Sequence, residues 1–147
     1  MQSDRQLLTV YFDGACPLCK AEINHYRTQE GAGAIRFVDV SRSEETLAVD
    51  LTKQQAMKRF HIRANDGLLL SGAEAFVAVW STLPRWRLAA RLAALPGILK
   101  ILEGAYRLFL PVRPAASKLF AFRAGLASVG QGGADGESQL HRSPLQL

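Results

Sequence analysis

The chain begins its patterned part with a short, unbroken apolar run. Leu7-Leu8-Thr9-Val10-Tyr11-Phe12 is rich in β-formers and reads as a buried strand. Asp13-Gly14 ends it as a turn. Helical spacing follows, with Leu18, Cys19, Ile23 and Tyr26 near one face and Lys20, Glu22, Asn24 and Arg27 largely off it. Pro17 suits the first helical position, because its missing N–H would have no intrahelical partner there. The pattern predicts a helix from Pro17 to about Gln29, with Cys16 at its N-cap and Gly31-Ala32-Gly33 beyond its end. A second strand is predicted over 34–40. Two strands flanking one helix make a βαβ unit, which closes right-handed with parallel strands.

Residues 43–58 are polar and helix-permissive and predict one or two short helices, capped by Ser43-Glu44-Glu45. Arg59-Phe60-His61-Ile62-Arg63 alternates, Asn65-Asp66-Gly67 is a hairpin turn, and Leu68-Leu69-Leu70 continues as the partner strand. Gly72 opens a helix from Ala73 to about Ser81, with Phe76, Val77 and Trp80 on its apolar side. Three further helices are predicted over 84–95, 96–110 and 114–128, started by Pro84, Pro96 and Pro114. The glycine-rich, polar end predicts a disordered tail over 129–147. The expectation is an α/β protein with a single domain over 6–128. Its core covers about 6–82 and a helical extension about 84–128.

A chain of 147 residues suits one domain, and 48% hydrophobic with 21% charged residues is ordinary for a globular protein. The first apolar run is too short for a signal-peptide core, and no run of about 18 uncharged apolar residues predicts a transmembrane helix. Two cysteines cannot staple a secreted fold, so the expected compartment is the reducing cytoplasm.

The net charge of +5 changes this picture through its placement. Residues 1–83 hold nine Lys/Arg and ten Asp/Glu, whereas residues 84–126 hold eight Lys/Arg and only Glu103. Arg85, Arg87 and Arg91 interleave with Trp86, Leu88 and Leu92. That suits a solvated basic face on helices packed over the sheet, which we favour, or an interfacial helix in peripheral contact with an anionic membrane. No aromatic stacking platform or zinc motif accompanies the charge, so no specific nucleic-acid partner is expected.

The candidate chemistry lies where strand meets helix. Cys16 and Cys19 are the only cysteines and form C-x-x-C at the predicted helix start. Dithiol exchange needs an attacking thiolate and a second thiol close enough to resolve the mixed disulfide. The helix N-terminus offers free N–H donors and a field worth about 0.3–1 kcal/mol, or up to ~2 kcal/mol when partly buried. At about 1.4 kcal/mol per pKa unit, that lowers a thiol by around one unit at most. Reaching about 7 from about 8.5 needs a further hydrogen bond to the sulfur. Cys16 is the expected nucleophile and Cys19 the resolving thiol.

Asp13 opposes thiolate formation if both are ionised and close. It could instead take or relay the proton of Cys19 when the mixed disulfide resolves, or be a solvated turn residue. His61, expected opposite the dithiol, is a candidate for substrate binding and proton donation; the alternative is a strand histidine paired within the fold. A metal site would draw on His25, His61 and His141, but one C-x-x-C supplies two thiolates where structural zinc takes four ligands. No resident metal is therefore expected in a monomer, leaving a metal-binding dimer as a rival. Another rival is a non-catalytic interaction module, and a third has the cysteines as mere packing. Exchange requires no bound cofactor, since the electrons reside in the dithiol.

Asp13-Gly14-Ala15-Cys16-Pro17-Leu18-Cys19 resembles the D-x-x-C-x-x-C motif of the DCC family of thiol-disulfide oxidoreductases. His61-Ile62-Arg63, Asp66-Gly67, Ser71-Gly72-Ala73-Glu74-Ala75-Phe76, Leu83-Pro84-Arg85-Trp86-Arg87 and Ala105-Tyr106-Arg107-Leu108-Phe109 resemble family blocks in the family's order. The resemblance covers roughly 8–113. It implies a thioredoxin-like fold, redox-active Cys16 and Cys19, and a protein or small-molecule thiol or disulfide as partner. Two features of thioredoxins are missing. No proline lies between Pro17 and Pro84 to face the dithiol, where Lys58-Arg59-Phe60-His61 is expected instead. Val10 stands where thioredoxins bury a carboxylate.

Overall fold

The computed structural model describes residues 8–43 and 46–129. Strand β1 (Leu8–Phe12) lies inside a four-stranded sheet, between β2 (Ile35–Asp39) and β5 (His61–Ala64), with β6 (Leu69–Ser71) beyond β5. The β1–β2 pair is parallel, and the β1–β5 and β5–β6 pairs are antiparallel. Val10 faces Phe37 on one side and Ile62 on the other.

The unbroken apolar run of β1 has a physical reason: both of its faces are covered. Leu8, Val10 and Phe12 join Ile23 and Tyr26 of α1 (Pro17–Arg27) and Ala75 and Val79 of α3 (Ala73–Thr82). Tyr11 points the other way, into a second cluster with Val40, Leu51 and Ala56. The βαβ unit, the hairpin and α3 therefore stand where the periodicity places them.

Residues 43–58 differ from expectation. A small hairpin of β3 (Thr46–Ala48) and β4 (Leu51–Thr52) precedes α2 (Lys53–Lys58). Leu51 is buried under Tyr11, so tertiary packing overrides the helix-permissive composition there. Thr52 and Gln55 form a capping box that starts α2. The predicted cap at Ser43-Glu44-Glu45 and the predicted tail over 130–147 lie outside the described residues.

The C-terminal helices also differ. A 3-10 turn at Pro84–Trp86 leads into α4 (Arg87–Ala93), and one helix, α5 (Ile98–Val129), then runs through both Pro111 and Pro114. Each proline withholds an N–H from the carbonyl four residues earlier. Both prolines sit at exposed positions, where water can take the freed carbonyls. What holds the helix across this break is a polar face. Glu103, Tyr106, Arg113 and Ser117 all reach the body of the protein. Glu103 pairs with Arg59 and accepts the Ala73 N–H at 3.1 Å, which closes the start of α3. Tyr106 accepts the Phe60 N–H at 2.8 Å. From Lys118 to Leu126 every residue is exposed.

Candidate active site

The turn between β1 and α1 is built around two carboxylates. Asp13 Oδ1 accepts the Ala15 N–H at 3.0 Å, and the Cys16 N–H bonds the Asp13 carbonyl at 3.2 Å. Asp39, at the end of β2, accepts the Gly14 N–H at 3.0 Å while also holding the Ser41 amide and hydroxyl. This tight crossing delivers Cys16 to the N-cap of α1, with Pro17 at the first helical position.

Cys16 Sγ acts as the capping atom and accepts the Cys19 N–H at 3.3 Å. Both thiols are free. Burial pushes the Cys16 thiol up, but opposing influences win: hydrogen bonds from the Cys19 thiol, the Ser117 hydroxyl and the Cys19 amide, then the Arg113 charge. The result lies below the ordinary value of 9.0. For Cys19, burial, donation of its proton to Cys16, and the Cys16 charge push the thiol up to about 12. One proton is thus released early and the other held late.

Asp13 is 9% exposed, so it is no solvated turn residue. Its Oδ2 lies 3.4 Å from Arg113 Nη2, which also donates to the Met57 carbonyl at 3.0 Å. Ser117, 7% exposed, places its hydroxyl 3.5 Å from Cys16 Sγ. Sequence reasoning missed both. The available signal was Glu103, the lone acid in a basic stretch, which shares a helix face with Tyr106, Arg113 and Ser117 if the prolines do not break the helix.

The structure brings Cys16, Cys19 and Asp13 together. His61 stands apart from that group, on β5 opposite Tyr11, its Nδ1 2.7 Å from the Arg59 carbonyl. Burial lowers its pKa, and the Arg59 charge adds to this against the carbonyl bond. After burial, the influences on the two sulfurs come from each other, Ser117, Arg113 and Asp13. His25 packs edge-on against Trp86. Among the described residues, no group of three His, Cys, Asp or Glu side chains could hold a metal ion.

Residues 10–119 match the family model of DCC1-like thiol-disulfide oxidoreductases, a span containing Asp13, both cysteines, Arg113 and Ser117. The chain belongs to that family. The mixed α/β architecture is the thioredoxin-like one that membership implies. Over 74 residues the chain is 34% identical to an uncharacterized chloroplastic protein of Arabidopsis thaliana. That match covers 47% of this chain and 34% of the plant protein, so it spans about a third of the relative's length. No solved structure matches the chain. Among the described residues, no helix of this DCC1-like protein is long and apolar enough to cross a membrane.

Proposed function

We propose that the protein exchanges disulfides through Cys16 and Cys19. The observation that carries this reading is the pairing of a thiol at the N-cap of α1, accepting the Cys19 amide at 3.3 Å, with a second thiol one turn inside. The Cys16 thiolate attacks one sulfur of a substrate disulfide. A Cys16–substrate bond forms, the substrate S–S bond breaks, and the second substrate sulfur leaves with the electron pair and takes a proton.

Formation of the mixed disulfide removes the Cys16 charge and its claim on the Cys19 proton, two of the causes that hold that proton late. Cys19 then loses its proton, attacks Cys16 and expels the remaining substrate thiolate. Asp13 is the acceptor we assign for that proton, being buried beside the thiols and acting on Cys19 electrostatically. The dithiol gives up two electrons and the substrate disulfide gains them. The reverse reaction uses the same steps, and no cofactor is needed.

The partner is a protein or small-molecule thiol or disulfide. A reducing compartment such as the cytoplasm suits an unbridged dithiol. In this reading 6–128 act as one domain, because α5 contacts the dithiol. We assign His61 to substrate binding rather than to proton transfer, since its Nδ1 is engaged at the Arg59 carbonyl. An apolar stripe on α5 within a basic segment also supports peripheral contact with an anionic membrane.

Thiol titration and redox equilibration of wild type, Cys16→Ser and Cys19→Ser test the exchange. The expected results are a reversible intramolecular disulfide, an early-titrating thiol absent only from Cys16→Ser, and mixed disulfides trapped in Cys19→Ser. If neither cysteine outpaces a free thiol and no disulfide forms, the reading fails. Stoichiometric bound metal would favour a metal-binding dimer, and an inert dithiol without metal a non-catalytic interaction module.

A further inference from the structure

The nucleophile stands at the start of α1, yet two groups that shape it arrive from α5, about a hundred residues downstream. Ser117 is the last buried residue of α5 before an exposed stretch. A serine inside a helix ordinarily turns its hydroxyl to water or back to the carbonyl four residues earlier. Here the oxygen lies 3.5 Å from Cys16 Sγ. A thiolate has no proton to offer, so once Cys16 ionises the hydroxyl must be the donor.

Arg113 is fixed by two elements besides its own. Its Nη2 donates to the Met57 carbonyl at the end of α2 and faces Asp13 Oδ2 in the turn before α1. A carboxylate beside two thiols opposes their ionisation. On Cys19 the Arg113 charge acts more strongly than the Asp13 charge and in the opposite sense.

We propose that Ser117 is a further catalytic residue and Arg113 a positioning residue of the dithiol. The hydroxyl donates to the Cys16 thiolate, and the guanidinium offsets Asp13 so that a proton acceptor can stand beside the sulfurs without suppressing the nucleophile. This deepens the exchange reading and rests on it. It makes α5 part of the active site: Asp13 without Arg113 would oppose thiolate formation unchecked, and Arg113 without Asp13 would leave Cys19 without its assigned acceptor.

The test follows the ultraviolet absorbance of thiolate against pH in full-length reduced protein. It compares wild type, Ser117→Ala, Ser117→Thr, Arg113→Gln and Asp13→Asn/Arg113→Gln, with Cys16→Ser identifying the Cys16 transition. Ser117→Ala is expected to raise the Cys16 midpoint by about half to one pH unit, and Ser117→Thr to restore it. Arg113→Gln raises it too, and the double variant returns it toward wild type because the opposing charge leaves with its partner. Mere uncovering of Cys16 does not imitate the effect, because relieving the burial that pushes its thiol up would lower the midpoint. The Ser117 variants differ from wild type by one oxygen or one methyl, so they decide the matter even if Arg113→Gln does not fold. Unchanged midpoints, with wild-type Cys16 still titrating below an ordinary thiol, overturn this proposal and leave the exchange reading standing. A wild type with no early transition and no disulfide removes both.

Discussion

Asp13 Oδ2 and Arg113 Nη2 stand 3.4 Å apart although 100 residues separate them in the chain. Both side chains are largely buried, at 10% and 20% exposure. A pair so placed loses much of its attraction to desolvation and is weak evidence for net stability. Its consequence lies nearby. It ties α5 to the turn that presents Cys16, and it sets a cation against a carboxylate that opposes ionisation of Cys19.

The two thiols predict opposite effects of pH on the stability of the reduced protein. Cys16 has its folded pKa depressed below 9.0, so its contribution is lost as pH falls through the folded value and fully present above about 9. Cys19, raised to about 12, works the other way. Above about 9 the unfolded chain gives up that proton while the native state keeps it, so stability falls with further rise in pH. Tyr26 and Tyr106 are also raised by burial and lower stability at high pH in either redox state, so the thiols are read from the difference between the two forms. In urea unfolding, the stability of reduced relative to oxidised protein should rise and then fall across this range, and a flat difference would contradict the assigned protonation states.

Glu103 is the other polar anchor of α5. Burial raises its pKa, but bonds from Arg59, the Ala73 amide and Arg107 outweigh that and bring it to about 2. The stabilisation it supplies is fully present above the ordinary 4.5 and is lost as pH falls toward about 2. Glu103→Gln weakens the Arg59 pair and the closure of α3, and should cost about 1–3 kcal/mol in urea unfolding at neutral pH. The same variant should flatten the acid limb between those two values.

Gly14 sits where no side chain fits. A Cβ there would stand 2.0 Å from Asp39 Oδ2, the carboxylate that accepts the Gly14 amide. Gly14→Ala must displace either Asp39 or the turn carrying Cys16. The expected loss is about 2–4 kcal/mol, in the range of overpacking combined with a broken buried hydrogen bond. Urea unfolding measures the loss. Asp39→Ala in the same background should recover part of it by making room, at the cost of the amide's partner.

Much of the fold was legible because it rests on local periodicity. The β1 run, the Pro17 helix start, the Asn65-Asp66-Gly67 turn and α3 follow from patterns within a dozen residues. The β3–β4 hairpin was not, because what holds Leu51 is Tyr11, forty residues away in the chain. Nor was the continuity of α5. Pro111 and Pro114 signal a break locally, and contacts from Tyr106 and Ser117 on either side of them, which no local pattern reports, keep one helix. The candidate site divides the same way: Cys16, Cys19 and Asp13 lie within seven residues and were grouped from sequence, while the approach of Ser117 and Arg113 depends on that undivided helix.

The face of α5 opposite its anchors offers a test of the proposed membrane contact. Ile101, Ala105, Leu108, Val112, Ala115, Leu119, Phe122 and Leu126 recur in alternating steps of four and three and are all exposed. Such a stripe suits a second helix or an interface between water and lipid. Charge separates the two, because residues 84–126 carry eight cations and one acid, so a second copy would set like charge against like. An anionic surface attracts that charge while the stripe enters the headgroup boundary. Co-sedimentation should show binding to vesicles containing phosphatidylserine, little to pure phosphatidylcholine, and weakening as salt rises. Leu108→Glu/Leu119→Glu should abolish binding and leave the dithiol titration unchanged, since neither residue touches the site. Absence of binding to anionic vesicles at physiological salt, or a dimer held by this stripe in sedimentation equilibrium, would reject the membrane assignment.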